Sequence, residues 1–183
     1  MNPALDTFTR GALAEGLGQR HVFSALPLLR QLADDPSSDT HLRGQAILGL
    51  GLLNDPTTET ILLRIASDPQ EDIALRGLAA DYLPSTLSAE GCRTMRDLLR
   101  GERQPTPLLT GALRTLGRTH DHEALSLMLQ YFDDPNPSVA QAAIDALADI
   151  GDASVSPKLV QLSQQPNIDH ALRLQAVGAL LKL

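Results

Sequence analysis

At 183 residues, 43% hydrophobic and 20% charged, the sequence is long and apolar enough to bury a core, which excludes a disordered tail. A formal charge of −7 with 3% aromatic residues and no Trp excludes the basic, stacking surfaces that nucleic acids need. A single cysteine, Cys92, excludes an internal disulfide framework and a multi-cysteine metal site.

The opening Met1-Asn2-Pro3-Ala4-Leu5-Asp6 has no basic stretch leading into an apolar one, so no leader peptide is expected. No apolar run approaches the roughly 20 residues that span a bilayer, and the expected location is cytoplasmic. Asp6 caps a first helix carrying Arg10-Gly11, and a second helix over roughly 22–33 ends at Asp35-Pro36. Asp39 opens the next, with Arg43-Gly44 and the stripe Leu42, Ala46, Ile47, Leu50 and Leu53; a helix over 57–66 ends at Asp68-Pro69. Asp72 opens another, with Arg76-Gly77 and Leu75, Ala79, Ala80 and Leu83, and 89–100 follows it. Thr106-Pro107 then opens a helix with a degenerate Thr110-Gly111 and the stripe Leu109, Leu113, Leu116, and 122–131 leads to Asp134-Pro135. Asn136-Pro137 opens Val139, Ala143, Ile144, Leu147, Ile150, stopped by Gly151-Asp152, and 154–164 ends at Gln165-Pro166. Asp169 opens the last, with Arg173 and Leu172, Ala176, Val177, Leu180 and Leu183.

Each cap type accepts a hydrogen bond from the free N–H groups of a first helical turn, and proline just after it loses nothing at a position without a partner. The stripes have the 3.6-residue period of amphipathic helices. The caps near 6, 39, 72, 106, 136 and 169 are spaced 33, 33, 34, 30 and 33 residues apart, which is an internal repeat of one helical hairpin, helix A then helix B. The run Val139-Ala-Gln-Ala-Ala143-Ile-Asp-Ala-Leu147-Ala-Asp-Ile150-Gly-Asp152 resembles the B helix of HEAT repeats, of the short type found in phycobilin lyases and many bacterial scaffold proteins. The resemblance runs from about Pro3 to Leu183. It implies an all-α, right-handed α-solenoid of about five HEAT-like hairpins plus an N-terminal half repeat, in a single domain over 1–183. It also implies a ladder of acidic and arginine side chains, met here by Asp6/Arg10, Asp39/Arg43, Asp72/Arg76 and Asp169/Arg173 and interrupted at Thr106/Thr110 and Asn136/Ala140.

In HEAT-like solenoids the B helices line a concave face that meets partners. At 100° per residue the fifth B helix puts Ser138, Gln141, Asp145 and Asp149 in one polar arc. The same angles give Phe8, Ala12, Glu15, Gln19; His41, Gln45, Leu48, Leu52; Ala74, Leu78, Asp81, Ser85; Leu108, Ala112, Thr115, Thr119; and Ala171, Gln175, Gly178, Lys182 in the other repeats. Five of these are large and apolar where the fifth repeat is polar, and contiguous exposed apolar surface marks binding sites. The expected partner site is therefore a groove of Phe8, Glu15, His41, Gln45, Leu48, Leu52, Leu78, Asp81 and Leu108, taking a protein helix or peptide. Gly11, Gly44, Gly77 and Gly111 are expected to admit close packing of the next repeat.

Catalytic signals are weak, and a non-enzymatic adaptor without cofactor or metal is expected. No glycine-rich phosphate loop or nucleophile elbow occurs. His120-Asp121-His122-Glu123 is the densest titratable cluster, without a second cluster to complete a metal site. The alternative, drawn from the resemblance, is a subunit of a bilin lyase-like system, with Asp81 and Tyr82 as modest candidates near a chromophore. Leu174 and Leu181 lie off the main stripe of the last helix, which allows end-to-end self-association.

Overall fold

The computed structural model describes residues 5–165 and 168–183, and among them every regular element is helical, as an α-solenoid requires. Pro166 and the residues before Leu5 lie outside that set. The helices group into two compact units, Met1–Gly91 and Cys92–Leu183. The first holds α1 (Thr7–Gln19), α2 (Leu26–Asp34), α3 (Thr40–Leu53), α4 (Glu59–Ser67) and α5 (Ile73–Asp81). Helix α6 (Ala89–Arg100) starts at the boundary, and the second unit continues with α7 (Thr106–Arg118), α8 (Leu125–Met128), α9 (Pro137–Ile150), α10 (Ser156–Gln164) and α11 (His170–Leu180). The odd-numbered helices are the B helices.

The caps explain the periodicity. Asp6 accepts from the Thr9 N–H, Asp39 from His41, Asp72 from Ala74 and Leu75, Asn136 from Ser138 and Asp169 from Ala171. The fourth B helix differs from expectation: it starts one residue earlier, with Pro105 at the cap position and Thr106 inside the first turn. Three helices stop earlier than the sequence predicts: α11 ends at Leu180, short of Leu183, and α5 and α8 are cut off by contacts of their own. α5 stops at Asp81, three residues before Pro84, and Ser85 lies beyond it, held by two 2.9 Å hydrogen bonds with the Asn54 carboxamide. α8 stops at Met128 instead of continuing to 131, because Tyr131 donates its hydroxyl to the Leu99 carbonyl at 2.7 Å and Phe132 turns into the core.

In four of the five connections from a B helix to the next A helix the chain turns through one left-handed residue: His21 (φ 52°), Asn54 (48°), His120 (51°) and Gly151 (74°); after α5, Tyr82 holds φ −101° instead. At His21 and His120 the flanking N–H groups close on the carbonyls of Gly18 and Leu17, and of Gly117 and Leu116, the Schellman pattern of a helix end. Asp55, Asp121 and Asp152 then cap the short 3-10 turns leading into α4, α8 and α10.

B helices cross closely where the twelfth residue after one cap meets the tenth after the next. A Cβ on Gly18 would lie 2.5 Å from the Gly49 carbonyl oxygen, and one on Gly117 would lie 2.7 Å from Ala146 Cα. At the third such crossing the Tyr82 side chain lies across Gly51. By contrast, a Cβ on Gly44 would make ordinary contacts, 3.5 and 3.6 Å from Leu78 and Leu75. The Arg-Gly glycine at 44 thus faces the next repeat without being needed for the backbone approach.

The arginines pair differently from the ladder the resemblance implies. Asp39 and Asp72 spend their carboxylates on their own helix N-termini. Arg43 and Arg76 reach back to the last carbonyls of the preceding A helix, Nε donating to Ala33 O and Ala66 O at 3.1 Å in each case. Arg173 donates likewise to Gln165 O at 2.9 Å. A free helix C-terminus is a concentration of unpaired carbonyls, so a cation satisfies and neutralises it. Arg43 also forms a two-pronged pair with Glu71, one prong at 2.9 Å. Where Thr110 replaces the arginine, the Tyr131 hydroxyl takes the corresponding carbonyl, and Asn136 Nδ2 donates to Thr106 Oγ1 at 3.0 Å.

Candidate protein-interaction face

The first unit offers three parallel rows of side chains across α1, α3 and α5. Phe8 and His41 occupy equivalent positions two residues after their caps and stack, ring centroids 5.8 Å apart and 3° from parallel. Phe8 is nonetheless 71% exposed. Next along the helices come exposed Ala12 and half-buried Gln45 and Leu78, then Glu15, Leu48 and Asp81, with Leu52 half-buried one turn further on α3. Gly11 lets this layer sit low: a Cβ there would lie 3.1 Å from Gln45 Cγ and 3.3 Å from His41 Nε2. Gln45 Oε1 is enclosed and has no hydrogen-bond partner, whereas buried polar atoms ordinarily have one. Gln19 Nε2 donates to Glu15 at 2.7 Å.

Leu108 does not belong to such a face. It is 1% exposed, and Ala112 and Thr115 on the same arc are also buried. The cause is the earlier start of α7: counting from Pro105 turns the helix by about 100° relative to counting from Thr106. Exposed Pro107 and Arg114, with half-buried Arg118, occupy the outward positions instead. The other eight predicted residues lie on α1, α3 and α5 of the first unit. What the sequence reading missed, Arg114 and Arg118, was hidden by preferring Thr106, a strong capping type, to Pro105.

The charges are unevenly shared. Met1–Gly91 has twelve carboxylates against six arginines and no lysine, while Cys92–Leu183 has ten carboxylates against nine basic residues. In the second unit Lys182 Nζ lies 3.3 Å from the Asp149 carboxylate, and the Gln175 carboxamide donates to the backbone carbonyl of Gln141 at 3.5 Å. The His120–Glu123 cluster is given over to structure: Asp121 and Glu123 pair with Arg96 at 2.7 and 3.0 Å, and His122 sits 3.6 Å from Asp152. No group of three or more His, Cys, Asp or Glu side chains placed to hold a metal occurs among the described residues. On α11, Leu174 and Leu181 are 60% and 86% exposed.

A family model for HEAT repeats matches residues 5–84 and 98–181. The chain belongs to the HEAT-repeat family. No curated protein matches it. Among solved structures, this HEAT-repeat chain is similar to the complex of CpcE and CpcF of phycocyanin lyase from Nostoc sp. PCC7120, at 22% identity and TM-score 0.67, covering 97% of this chain and 77% of that one. It is also similar to a designed armadillo repeat protein, at 17% identity and TM-score 0.59, covering 96% and 90%. A computationally designed armadillo repeat protein for modular peptide recognition matches at 16% identity and TM-score 0.57, with the same coverage. These likenesses concern the fold. No helix among the described residues is long and apolar enough to cross a membrane.

Proposed function

We propose that this HEAT-repeat chain is a non-enzymatic scaffold or adaptor that binds a partner protein's helix or peptide on the B-helix face of its first unit. The observation that carries the reading is the Phe8–His41 stack, which leaves a large aromatic ring 71% exposed in a unit whose B helices also carry half-buried Leu48, Leu52 and Leu78 at outward positions. An exposed apolar surface of this kind costs solubility unless something uses it. The armadillo-like neighbour designed for peptide recognition supports the same use of a repeat face. Association of copies through exposed Leu174 and Leu181 on α11 is a subsidiary part of the proposal.

The likeness to the CpcE and CpcF complex favours a second reading, a subunit of a chromophore lyase-like system. Two measurements separate them. A pull-down with the wild type beside Leu48→Glu/Leu78→Glu is expected to retain a partner on the first and lose it on the second, with both folded. Equal capture by both forms removes the face from consideration. A visible absorption shift on adding a bilin to the purified protein supports the lyase reading instead.

A further inference from the structure

We infer that copies of this chain associate head to tail, with the exposed edge of α11 in one copy seated on α1 of the next; this rests on the association of copies in the reading above and names the surface that α11 meets. The rule for the contact is set inside the chain. Residues five and twelve places after a cap face the following B helix, opposite the sixth and tenth residues after its own cap. Gly11 and Gly44 at the fifth place lie against Gln45 and Leu78 at the sixth. Gly18, Gly51 and Gly117 at the twelfth lie against Gly49, Tyr82 and Ala146 at the tenth. A glycine stands on the forward side of each of these contacts, and the residue opposite it ranges in size up to tyrosine.

Helix α11 inverts the pattern. The fifth, eighth and twelfth residues after Asp169 are Leu174, Val177 and Leu181, and all three are exposed along one edge of the helix. Contiguous exposed apolar side chains of this kind mark a contact surface. Interiors pack without overlap, so a helix that receives leucines at these places needs small residues at its own sixth and tenth. Three B helices of this chain have such a pair. Gly111 and Thr115 on α7, and Ala142 and Ala146 on α9, are buried. On α1, by contrast, Ala12 is exposed and a Cβ on Gly16 would meet nothing within 4 Å. Leu181 across Gly16 repeats the Gly51–Tyr82 crossing with the large and small partners exchanged. Leu174 then rests on Ala12 beside exposed Phe8, just as Gly11, at the same place on its helix, meets both Gln45 and His41.

The test is sedimentation velocity of the full chain from about 1 μM to about 1 mM. The expected result is a mass that rises with concentration, because a contact between two different faces leaves one of each free for a further copy. Leu181→Glu and Gly16→Leu change positions with open space around them and should keep the wild-type circular dichroism. Each should raise the dissociation constant about tenfold or more. Mixed one to one, the two variants retain a single working junction between them and should form a two-chain species and nothing larger. Association that Leu181→Glu abolishes but Gly16→Leu leaves intact overturns the inference alone, the copies then meeting α11 to α11. A mixture that stays single-chain overturns the pairing of α11 with α1. A single-chain mass for the wild type at every concentration overturns both the inference and the self-association it rests on.

Discussion

The two units are built by the same devices and finish their outward faces differently. In each, an Asp or Asn caps most B helices, a left-handed residue turns the chain, and small residues let consecutive B helices cross. In Cys92–Leu183 the outward positions of α9 and α11 hold charged and amide groups, Lys182 facing Asp149 and Gln175 donating to the Gln141 backbone carbonyl, and charge nearly balances. In Met1–Gly91 the same positions hold an exposed aromatic ring, half-buried leucines and an orphaned amide oxygen, in a unit with twelve carboxylates against six arginines. The repeat core thus constrains one side of each B helix, and the other side is free to be used or merely solvated.

The comparison breaks most visibly at two leucines. Leu108→Glu places a charge where the second unit has no solvent, and an unpaired buried charge costs several kcal/mol. Leu48→Glu alters a half-buried position and should cost no more than about 1 kcal/mol. Urea denaturation followed by circular dichroism reads both midpoints. Equal losses would mean that Leu48 is core, and the proposed face would go with it.

The next effect concerns the enclosed ion pairs, one in each unit. Arg43 pairs with Glu71 and Arg96 with Asp121, with little of either pair exposed. Removing one partner strands the other, so Arg43→Ala and Arg96→Ala should each lose about 3 kcal/mol or more. The Arg43 guanidinium holds the Glu71 carboxyl below its ordinary value of 4.5. A carboxyl with a depressed folded pKa contributes stability that is complete above its unfolded value and disappears as pH falls through the folded one. Stability should therefore decline below pH 4.5, and Glu71→Gln should flatten that part of the curve. An acid limb of unchanged steepness in Glu71→Gln would assign it to other carboxylates, Asp134 beside Arg103 among them.

Most of this fold is legible in the sequence because the cap residues are local. Asp6, Asp39, Asp72, Asn136 and Asp169 mark their helices through hydrogen bonds made within three residues. The failures come from interactions between distant residues. Thr106 reads as a cap, but its hydroxyl is engaged by Asn136, thirty residues on, and the helix begins at Pro105. That single residue moves Leu108 from the predicted face into the core. Arg43 looks like a partner for Asp39 at helical spacing, yet the carbonyls ending α2 and the carboxylate of Glu71 take it. Helical angles alone place the eight first-unit residues on the sides of α1, α3 and α5 that are not buried, whereas the orphaned Gln45 Oε1 needed three dimensions.

A smaller effect separates glycines by what lies opposite them. Gly18→Ala and Gly117→Ala insert a methyl group within 2.7 Å of a neighbouring backbone and should destabilise by about 1–3 kcal/mol each. Gly16→Ala meets nothing within 4 Å and should instead gain up to about 1 kcal/mol through helix propensity. The two crossings are predicted to behave alike, because backbone approach is what the units share. A tolerated Gly117→Ala beside a damaging Gly18→Ala would show that the second unit packs more loosely than the first.

The smallest predicted change tests the turns common to both units. His21 and His120 hold φ near +50°, a region that costs most side chains roughly 1–2 kcal/mol because the Cβ crowds the following carbonyl. Asn tolerates it better, since its short amide bonds locally, and Asn54 fills the equivalent place between α3 and α4. His21→Asn and His120→Asn should therefore each stabilise by a few tenths of a kcal/mol, and Gly at either site by a similar amount. Differential scanning calorimetry reads this as a small rise in Tm. The two substitutions should also part company. His21 has a ring against Phe23, centroids 6.4 Å apart, which the substitution removes, so the gain at 21 should be the lesser. A loss of stability at 120 would mean that its imidazole does more than turn the chain, and would return attention to the Asp121–Glu123 cluster beside it.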